Sequence, residues 1–321
     1  MRKHIHVGMD VGASAVKCIV LDTDGKILWR QYIHHDCRVM ETVERVMTDL
    51  VAVYEGSEAF LCMTGQGGED IAERFGVSFI PEIAAQTNYL SRFGRNVDAV
   101  IEIGGESAKI TYLHPVVDQR VNRICAGGTG AFLDHMAKLL GTDTMGLNDL
   151  AGRGMKVYPV ASRCGVFAKS DIQPLINQGA DKRDISASIF SAVVNQTIGG
   201  LAQGRQIKGH VLYLGGPLTF MSELRKSFDN ALKLKGVCPE NSLYYVAMGA
   251  ALSAKTKVDL DDVIEKLSNY EEYISKIKRE LSKVREKLDI QCDKLTSLRK
   301  DAAIPLTQLI KEALRDLNFL D

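Results

Sequence analysis

Gly8-Met-Asp-Val-Gly-Ala-Ser14, followed by Lys17, is the stretch of sequence that decides the fold of this chain. Around it, residues Ile5–Leu21 alternate between apolar and small or polar side chains, a pattern typical of two strands joined by a glycine turn. The turn offers backbone N–H groups and the Ser14 hydroxyl to phosphate oxygens. Asp10 lies just before the turn, and carboxylates of this kind hold hydrated Mg²⁺.

The same unit occurs a second time further along the chain. A predicted strand at Ala99–Ile103 runs into Glu102-Ile-Gly-Gly-Glu-Ser107, and a returning strand follows at Lys109–Leu113. A third glycine turn, Leu214-Gly-Gly-Pro217, follows a predicted strand at His210–Leu214. This third turn is where an adenosine would rest.

Two glycine hairpins, a third turn and a small-residue helix at Tyr245–Ala254 occur in this order and together predict a cleft for ATP or ADP with Mg²⁺. The candidate catalytic residues are Asp10, Glu102 and Glu106, and Asp10 is also expected to hold Mg²⁺ through water. The candidate cofactor-binding residues are Gly8, Gly12, Ser14, Lys17, Gly104, Gly105, Gly127, Gly128, Thr129, Gly215, Gly216 and Gly249.

The duplicated unit predicts an α/β fold with two related mixed-sheet domains around the cleft. We expect a first domain at 1–98, completed by the helix around 245–256, and a second domain at 99–244. The remaining predicted elements are a strand at Lys26–His34, a helix at 40–54, a strand at Phe60–Thr64 and helices at about 130–140 and 170–205.

Residues 258–321 have a different character. Leucine, isoleucine, valine and tyrosine side chains recur at alternating spacings of three and four from Leu260 to Leu288, and Leu295 and Leu298 continue the register. This heptad pattern predicts a coiled-coil and helical extension that pairs with another helix. The alternative is a single helix that packs on the globular body.

Two cysteines stand in unusual surroundings. Cys125 opens Cys-Ala-Gly-Gly-Thr-Gly130, and Cys164 lies in Ser162-Arg-Cys-Gly-Val-Phe-Ala168. Each segment is expected to turn directly into a helix, where the N-terminal dipole favours a thiolate. Thiolates there can ligate iron, and a symmetric dimer supplies the four that a cubane cluster needs. The alternative is a pair of buried structural cysteines.

The order of the glycine turns resembles the fold shared by actin, the Hsp70 chaperones and the sugar kinases. The two cysteine segments resemble those of the BadF/BadG/BcrA/BcrD-type ATPase activators of 2-hydroxyacyl-CoA dehydratases and benzoyl-CoA reductases. The resemblance implies an actin-like ATPase fold and a homodimer, with one 4Fe–4S cluster bridging the subunits through Cys125 and Cys164 of each. It also implies ATP-driven transfer of a low-potential electron from a ferredoxin or flavodoxin to an iron–sulfur partner enzyme, as part of anaerobic metabolism.

The chain departs from that family's pattern at three places. Glu102 stands where the second loop usually has aspartate, and Glu106-Ser107 stand where glutamine and aspartate are usual. Lys169-Ser170-Asp171 follow the second cysteine segment, where a glutamate is usual.

Two rival functions therefore stay open. One is a small-molecule (sugar) kinase of the same fold, for which the second loop offers only poor catalytic acids. The other is a non-catalytic ATP-sensing scaffold.

Composition excludes some partners. The 321 residues contain 40 lysines and arginines against 40 aspartates and glutamates, so bulk charge favours neither nucleic acid nor an anionic membrane. Because no signal peptide or membrane span is apparent, we expect a cytoplasmic protein whose seven cysteines are thiols or metal ligands. The segment His34-His35-Asp36-Cys37 is interpreted as a solvated loop rather than a metal cluster.

Overall fold

The computed structural model describes residues 4–94, 96–122, 127–161, 165–266, 269, 276, 279–287 and 289–290. The chain divides into two compact units, Met1–Val263 and Ile264–Asp321. Cys125 and Cys164 lie outside the described residues, as does most of the predicted coiled coil. The fold and the site below belong to the first unit.

The first sheet grows outward from the hairpin that the sequence predicts. Strands β1 (His4–Val11) and β2 (Ala15–Leu21) pair antiparallel, with Asp10 opposite Lys17. Strand β3 (Ile27–His34) adds antiparallel to β2, and β4 (Glu58–Thr64) adds parallel to β1. Short strand β5 (Ser78–Phe79) pairs with β4.

The second sheet repeats this arrangement. Strands β6 (Ala99–Ile103), β7 (Ala108–Tyr112) and β8 (Asp118–Asn122) form an antiparallel meander, and β9 (Val211–Leu214) lies parallel to β6. Both sheets thus have three antiparallel strands and a fourth strand parallel to the first. Because the parallel pairing needs a crossover, each sheet is covered by helices.

The helices of the first unit lie between these strands along the chain. They are α1 (Val39–Tyr54), α2 (Gly68–Phe75), α3 (Glu82–Phe93), α4 (Gly130–Leu139), α5 (Thr144–Ala151), α6 (Gly165–Asn177), α7 (Lys182–Thr197), α8 (Gly216–Phe220), α9 (Ser222–Leu232) and α10 (Tyr245–Ser253). A π-helical turn, Ile198–Ala202, continues α7.

The region at about 170–205 is helical, as the sequence predicts. Two helices, α6 and α7, occupy this region and are separated by Gly179, whose φ is +74°. The Asp181 carboxylate accepts a hydrogen bond from the Arg183 N–H and caps α7.

Helix α7 and its π turn, Lys182–Ala202, are long and apolar enough to cross a membrane by length and composition. In this fold 61% of that apolar window is buried, and Ile185, Ile189 and Phe190 have no exposed surface. The helix therefore forms the core of the second half together with the inner face of β6, β7 and β9.

Helix α10 returns from the second sheet to complete the first. It packs against β1 and α3, and strand β10 (Lys257–Val258) then pairs with β4. Two glycines permit this close approach. A Cβ on Gly8 would lie 1.9 Å from the Ala247 carbonyl oxygen, and one on Gly249 would lie 1.7 Å from that of Ala85. Larger residues are sterically excluded at both positions.

In the second unit, the described residues 279–287 are helical. Leu281 is 61% exposed, and Val284 is also exposed. The helical conformation agrees with the predicted extension, and its pairing into a coiled coil stays a prediction.

Candidate active site

The first glycine hairpin places a buried ion pair at the end of β1. Asp10 is 4% exposed, and Lys17 Nζ donates a 2.8 Å hydrogen bond to Asp10 Oδ2 across the β1–β2 register. The turn itself is closed by the Gly12 N–H, which donates to the Ala15 carbonyl oxygen at 3.0 Å. The carboxylate is therefore fixed immediately beside the loop that the sequence assigns to phosphate.

The second hairpin carries an equivalent pair. Glu102 lies opposite Lys109 across the β6–β7 register, and Lys109 Nζ lies 3.4 Å from Glu102 Oε1. The Gln86 amide donates a 2.7 Å hydrogen bond to the other oxygen, Oε2. Glu82 also pairs with Lys109. Each hairpin thus pairs an acid with a lysine seven residues later, and in the second hairpin α3 supplies two additional partners.

The two lysines are held in their charged form. Burial alone would lower the pKa of Lys17, but the Asp10 carboxylate, with a smaller contribution from Glu102, raises it above its usual value. Burial likewise opposes the charge on Lys109, and Glu102 and Glu82 raise its pKa well above the usual range. With the nearby Glu106, four carboxylates face two lysines, so negative groups outnumber positive ones at this end of the cleft.

The two glycine loops meet across the cleft. A Cβ on Gly105 would lie 2.3 Å from Ser14 Oγ, so the second loop approaches the first at a position that only glycine allows. A cavity of about 50 Å³ lies at this junction, lined by both acid–lysine pairs and by Glu106. A larger cavity of about 350 Å³ adjoins the same loops and extends to Asp134 and Phe220.

The third glycine turn forms part of the wall of the larger cavity. Gly215 has φ of +87°, and a Cβ there would lie 2.1 Å from the Ile103 carbonyl oxygen. Gly216 begins α8, with Pro217 in its first turn. This turn therefore presents the N-terminus of α8 to the cavity, beside the end of β6.

The N-terminus of α4 is attached directly to the second glycine loop. The Gly130 N–H donates to the Gly104 carbonyl oxygen at 2.9 Å, and the Ala131 N–H donates to that of Gly105 at 2.8 Å. These are two of the N–H groups that an α-helix leaves without intrahelical partners. A displacement of the loop would therefore move the start of α4.

The structure brings together many of the predicted site residues at the two cavities: Asp10, Gly12, Ser14, Lys17, Glu102, Gly104, Gly105, Glu106, Gly215 and Gly216. It places others elsewhere. Gly8 and Gly249 pack against helix backbone, as described above. Gly127 lines a separate cavity beside Gln196, a Cβ on Gly128 would face the same glutamine, and Thr129 is the fully buried residue preceding α4.

Several residues in or beside the cavities are not predicted from the sequence. Gln86 and Glu82 come from α3, and they carry no local motif. Tyr32 and Phe220 both line the larger cavity, and their rings contact each other with centroids 6.4 Å apart. These residues become neighbours only when the two sheets are placed together.

The segment after β3 differs from the predicted solvated loop at one residue. His35 is only 5% exposed, while Asp36 and Cys37 are exposed. Among the described residues, no group of three or more His, Cys, Asp or Glu side chains is arranged to hold a metal ion. The apolar strand patterns around Cys18, Cys62 and Cys238 predict core positions for all three; Cys18 and Cys62 are buried, whereas Cys238 is only partly buried.

The residues that follow the two predicted cluster ligands contact each other. Gly127 comes two residues after Cys125, and Gly165 comes directly after Cys164. A Cβ on Gly127 would lie 3.0 Å from the Gly165 backbone nitrogen. The starts of α4 and α6 therefore converge at one point of the second half.

Two glycine hairpins that face each other across a cleft, each at the head of a mixed sheet, define the class of actin-like ATPases. The chain belongs to the BadF/BadG/BcrA/BcrD ATPase family, whose profile matches residues 7–254. It is 29% identical over 255 residues to the (R)-2-hydroxyglutaryl-CoA dehydratase activating ATPase of Acidaminococcus fermentans, an alignment that covers 78% of this chain and 97% of the relative.

Solved structures agree with this assignment. The crystal structure of component A of the (R)-2-hydroxyglutaryl-CoA dehydratase of Acidaminococcus fermentans is similar with a TM-score of 0.71 at 28% identity, over 82% of this chain and 99% of that one. The activator of the 2-hydroxyisocaproyl-CoA dehydratase from Clostridium difficile, with bound ADPNP, has the same fold, with a TM-score of 0.67 at 23% identity over 83% and 97%.

Proposed function

We propose that this chain is the ATP-driven electron donor of an acyl-CoA dehydratase or reductase system. A homodimer would take a low-potential electron from a ferredoxin or flavodoxin and pass it to a partner iron–sulfur component, with ATP hydrolysis as the driving force. Support comes from the family and from the relative named as a dehydratase-activating ATPase. The same proposal assigns the protein to the cytoplasm of cells with anaerobic metabolism.

One observation carries the coupling part of the proposal. The second glycine loop accepts hydrogen bonds from the first two N–H groups of α4, the helix that follows the Cys125 segment. If nucleotide phosphates displace Gly104 and Gly105 on binding, the start of that helix would therefore move with them. The nucleotide would act by shifting the equilibrium between two conformations of the protein that differ in the position of this helix.

The residues present fit an iron–sulfur cluster. Cys125 and Cys164 of both protomers would supply the four thiolates that a 4Fe–4S cluster takes. The contact between Gly127 and Gly165 supports a shared site, because it joins the two segments that carry these cysteines. When bound, such a cluster supplies one-electron transfer at a potential set by its hydrogen bonds and exposure.

At the nucleotide end, Asp10 Oδ2 is engaged by Lys17, which leaves Oδ1 for a water of a hydrated Mg²⁺. Glu102 would orient the attacking water, since Gln86 and Lys109 fix both of its oxygens. Glu106 is exposed at the same junction, and its charge is compatible with a triphosphate only when Mg²⁺ lies between them.

The experiment is iron and acid-labile sulfide analysis of protein purified without oxygen. We expect Cys125→Ser and Cys164→Ser to lose the cluster absorbance and to weaken the dimer, while Mg-ADP still binds. Cys37→Ser is the matched control, because Cys37 is exposed and lies outside both cysteine segments. Full iron content in both ligand variants would refute the ligand assignment, and an iron-free wild-type protein would favour a kinase or an ATP-sensing scaffold.

A further inference from the structure

His35 is a buried histidine next to the first glycine loop. It is not among the site residues that the sequence predicts. Its backbone N–H donates to the Ser14 carbonyl oxygen at 3.2 Å. Its side-chain Nε2 lies 3.2 Å from the Gly12 carbonyl oxygen. One residue of the segment after β3 therefore holds two carbonyl groups of the loop.

The hydrogen bonds of His35 define its tautomer. The Cys37 backbone N–H lies 3.1 Å from Nδ1. An amide N–H can only donate, so Nδ1 is the acceptor and the ring proton is on Nε2. Nε2 therefore donates to the Gly12 carbonyl oxygen. The neutral ring thus links the turn at residues 35–38 to the glycine loop.

Holding the two carbonyls sets the direction of two N–H groups. In a planar trans peptide the C=O of one residue and the N–H of the next point in opposite directions. The N–H groups of Ala13 and Ala15 therefore point away from His35. Residues 12–15 line the cavity of about 50 Å³ together with both acid–lysine pairs. Residues 13–15 also line the larger cavity of about 350 Å³, and His35 is among the lining residues there.

We propose that His35 is a positioning residue for the nucleotide phosphates. It keeps the N–H groups of the first glycine loop directed at the phosphate position before the nucleotide arrives. The inference rests on the proposed function in one respect only, namely that this loop binds the phosphates. The energetic benefit comes from preorganisation, since a loop that is already oriented loses less conformational freedom on binding.

Two substitutions separate the two side-chain contacts of His35. Glutamine carries its amide nitrogen three bonds from Cβ, as histidine carries Nε2, so His35→Gln retains a donor for the Gly12 carbonyl. Asparagine carries its oxygen two bonds from Cβ, as histidine carries Nδ1, so His35→Asn retains only the acceptor for the Cys37 N–H. A role in the glycine loop and a role in the local turn therefore predict opposite results.

The test uses the full-length chain and two readouts. The first is amide hydrogen exchange of the segment 8–18 in nucleotide-free protein. We expect exchange in His35→Gln to match wild type, and exchange in His35→Asn and His35→Ala to be faster. The second is calorimetric titration with Mg-ADP, where we expect roughly ten-fold weaker binding in His35→Asn and His35→Ala, and less than about three-fold in His35→Gln.

Each outcome decides a different claim. If His35→Asn behaves like wild type and His35→Gln does not, the histidine serves the local turn and the inference is wrong. Equal defects in both variants, with unchanged thermal unfolding, also overturn it. If wild type itself binds no Mg-ADP, the proposed function fails, while the order of the exchange rates still decides whether His35 orients the loop.

Discussion

At the scale of single residues, the Asp10–Lys17 pair combines a structural and a chemical role. Removing one partner of a buried ion pair leaves an uncompensated charge, which costs about 3–5 kcal/mol. We therefore expect Asp10→Ala to lose Mg-dependent ATP hydrolysis and also several kcal/mol of unfolding free energy. The double variant Asp10→Ala with Lys17→Met removes both charges and should regain most of the stability, but no hydrolysis.

Urea unfolding and phosphate release measure the two effects of this pair independently. Hydrolysis at the wild-type rate in Asp10→Ala would show that Asp10 does not position the metal. A double variant as unstable as Asp10→Ala would show that the loss comes from the cavity left by the carboxylate, rather than from the unpaired charge of Lys17.

Among the charged residues of the site, the sequence predicts Asp10, Lys17 and Glu102 but not Glu82 or Lys109. Asp10 and Glu102 each stand two residues before the first glycine of a turn, and the register in the structure places a lysine opposite each of them. A glycine in the sequence, in contrast, indicates only that another part of the chain packs closely against that position. Gly105 faces the other loop, whereas Gly8 faces the backbone of α10. Which neighbour approaches is settled by tertiary packing, and no local pattern encodes it.

At the scale of secondary-structure elements, a hydrogen bond between the second glycine loop and α4 can be removed by a substitution that changes no charge. Gly130 is the first residue of α4, a position where proline is well tolerated in helices. Gly130→Pro removes the N–H that donates to Gly104. We expect this variant to hydrolyse ATP but to show a weaker effect of ATP on electron transfer, because only the bond from the Ala131 N–H to the Gly105 carbonyl oxygen still joins the loop to the helix.

Gly130→Ala is the control for the junction. It adds a Cβ 3.2 Å from the Gly104 carbonyl oxygen, as proline does, but retains the N–H. The comparison therefore controls for crowding by the Cβ. Proline in addition replaces the N–H by its Cδ, so the Gly104 carbonyl oxygen must also move away from the helix. Phosphate release and ATP-dependent electron transfer to a dehydratase component are the two measurements. Electron transfer that is equally coupled to ATP in both variants would show that the junction does not transmit the nucleotide signal.

Elements with a strong local pattern were predicted, and elements defined by distant partners were not. The β1–β2 hairpin and the strand at Ala99–Ile103 follow from alternation and a glycine turn. Helix α3 was missed, although it supplies Gln86 and Glu82 to the site. Its mixed composition gives a weak helical pattern, and its role arises from packing between α10 and the second sheet.

At the scale of the whole molecule, alkaline pH should destabilise the fold. Burial raises the pKa of Cys62 from 9.0 to about 11 and that of Tyr245 from 10.0 to about 12. The pKa values of Lys17 and Lys109 are raised as well. The unfolded chain therefore releases these protons at lower pH than the folded chain does, and stability falls as pH rises from about 9 to about 12.

Urea unfolding at pH 8 and pH 10.5, at constant ionic strength, measures this effect. We expect Cys62 alone to contribute a loss of at least about 1 kcal/mol between these conditions. Cys62→Ala removes one titrating group and should reduce the loss accordingly. Equal unfolding free energies at the two pH values would contradict the prediction.

The return of α10 to the first sheet has a consequence for biosynthesis. Strand β1 leaves the ribosome before α10 and β10, which cover it and extend its sheet and are encoded about 240 residues later. Until then the apolar face of β1 has no permanent cover, and the edge of β4 is open to foreign strands. The first half therefore stays incomplete while the intervening residues are synthesised, and during that interval its apolar surface is available to chaperones.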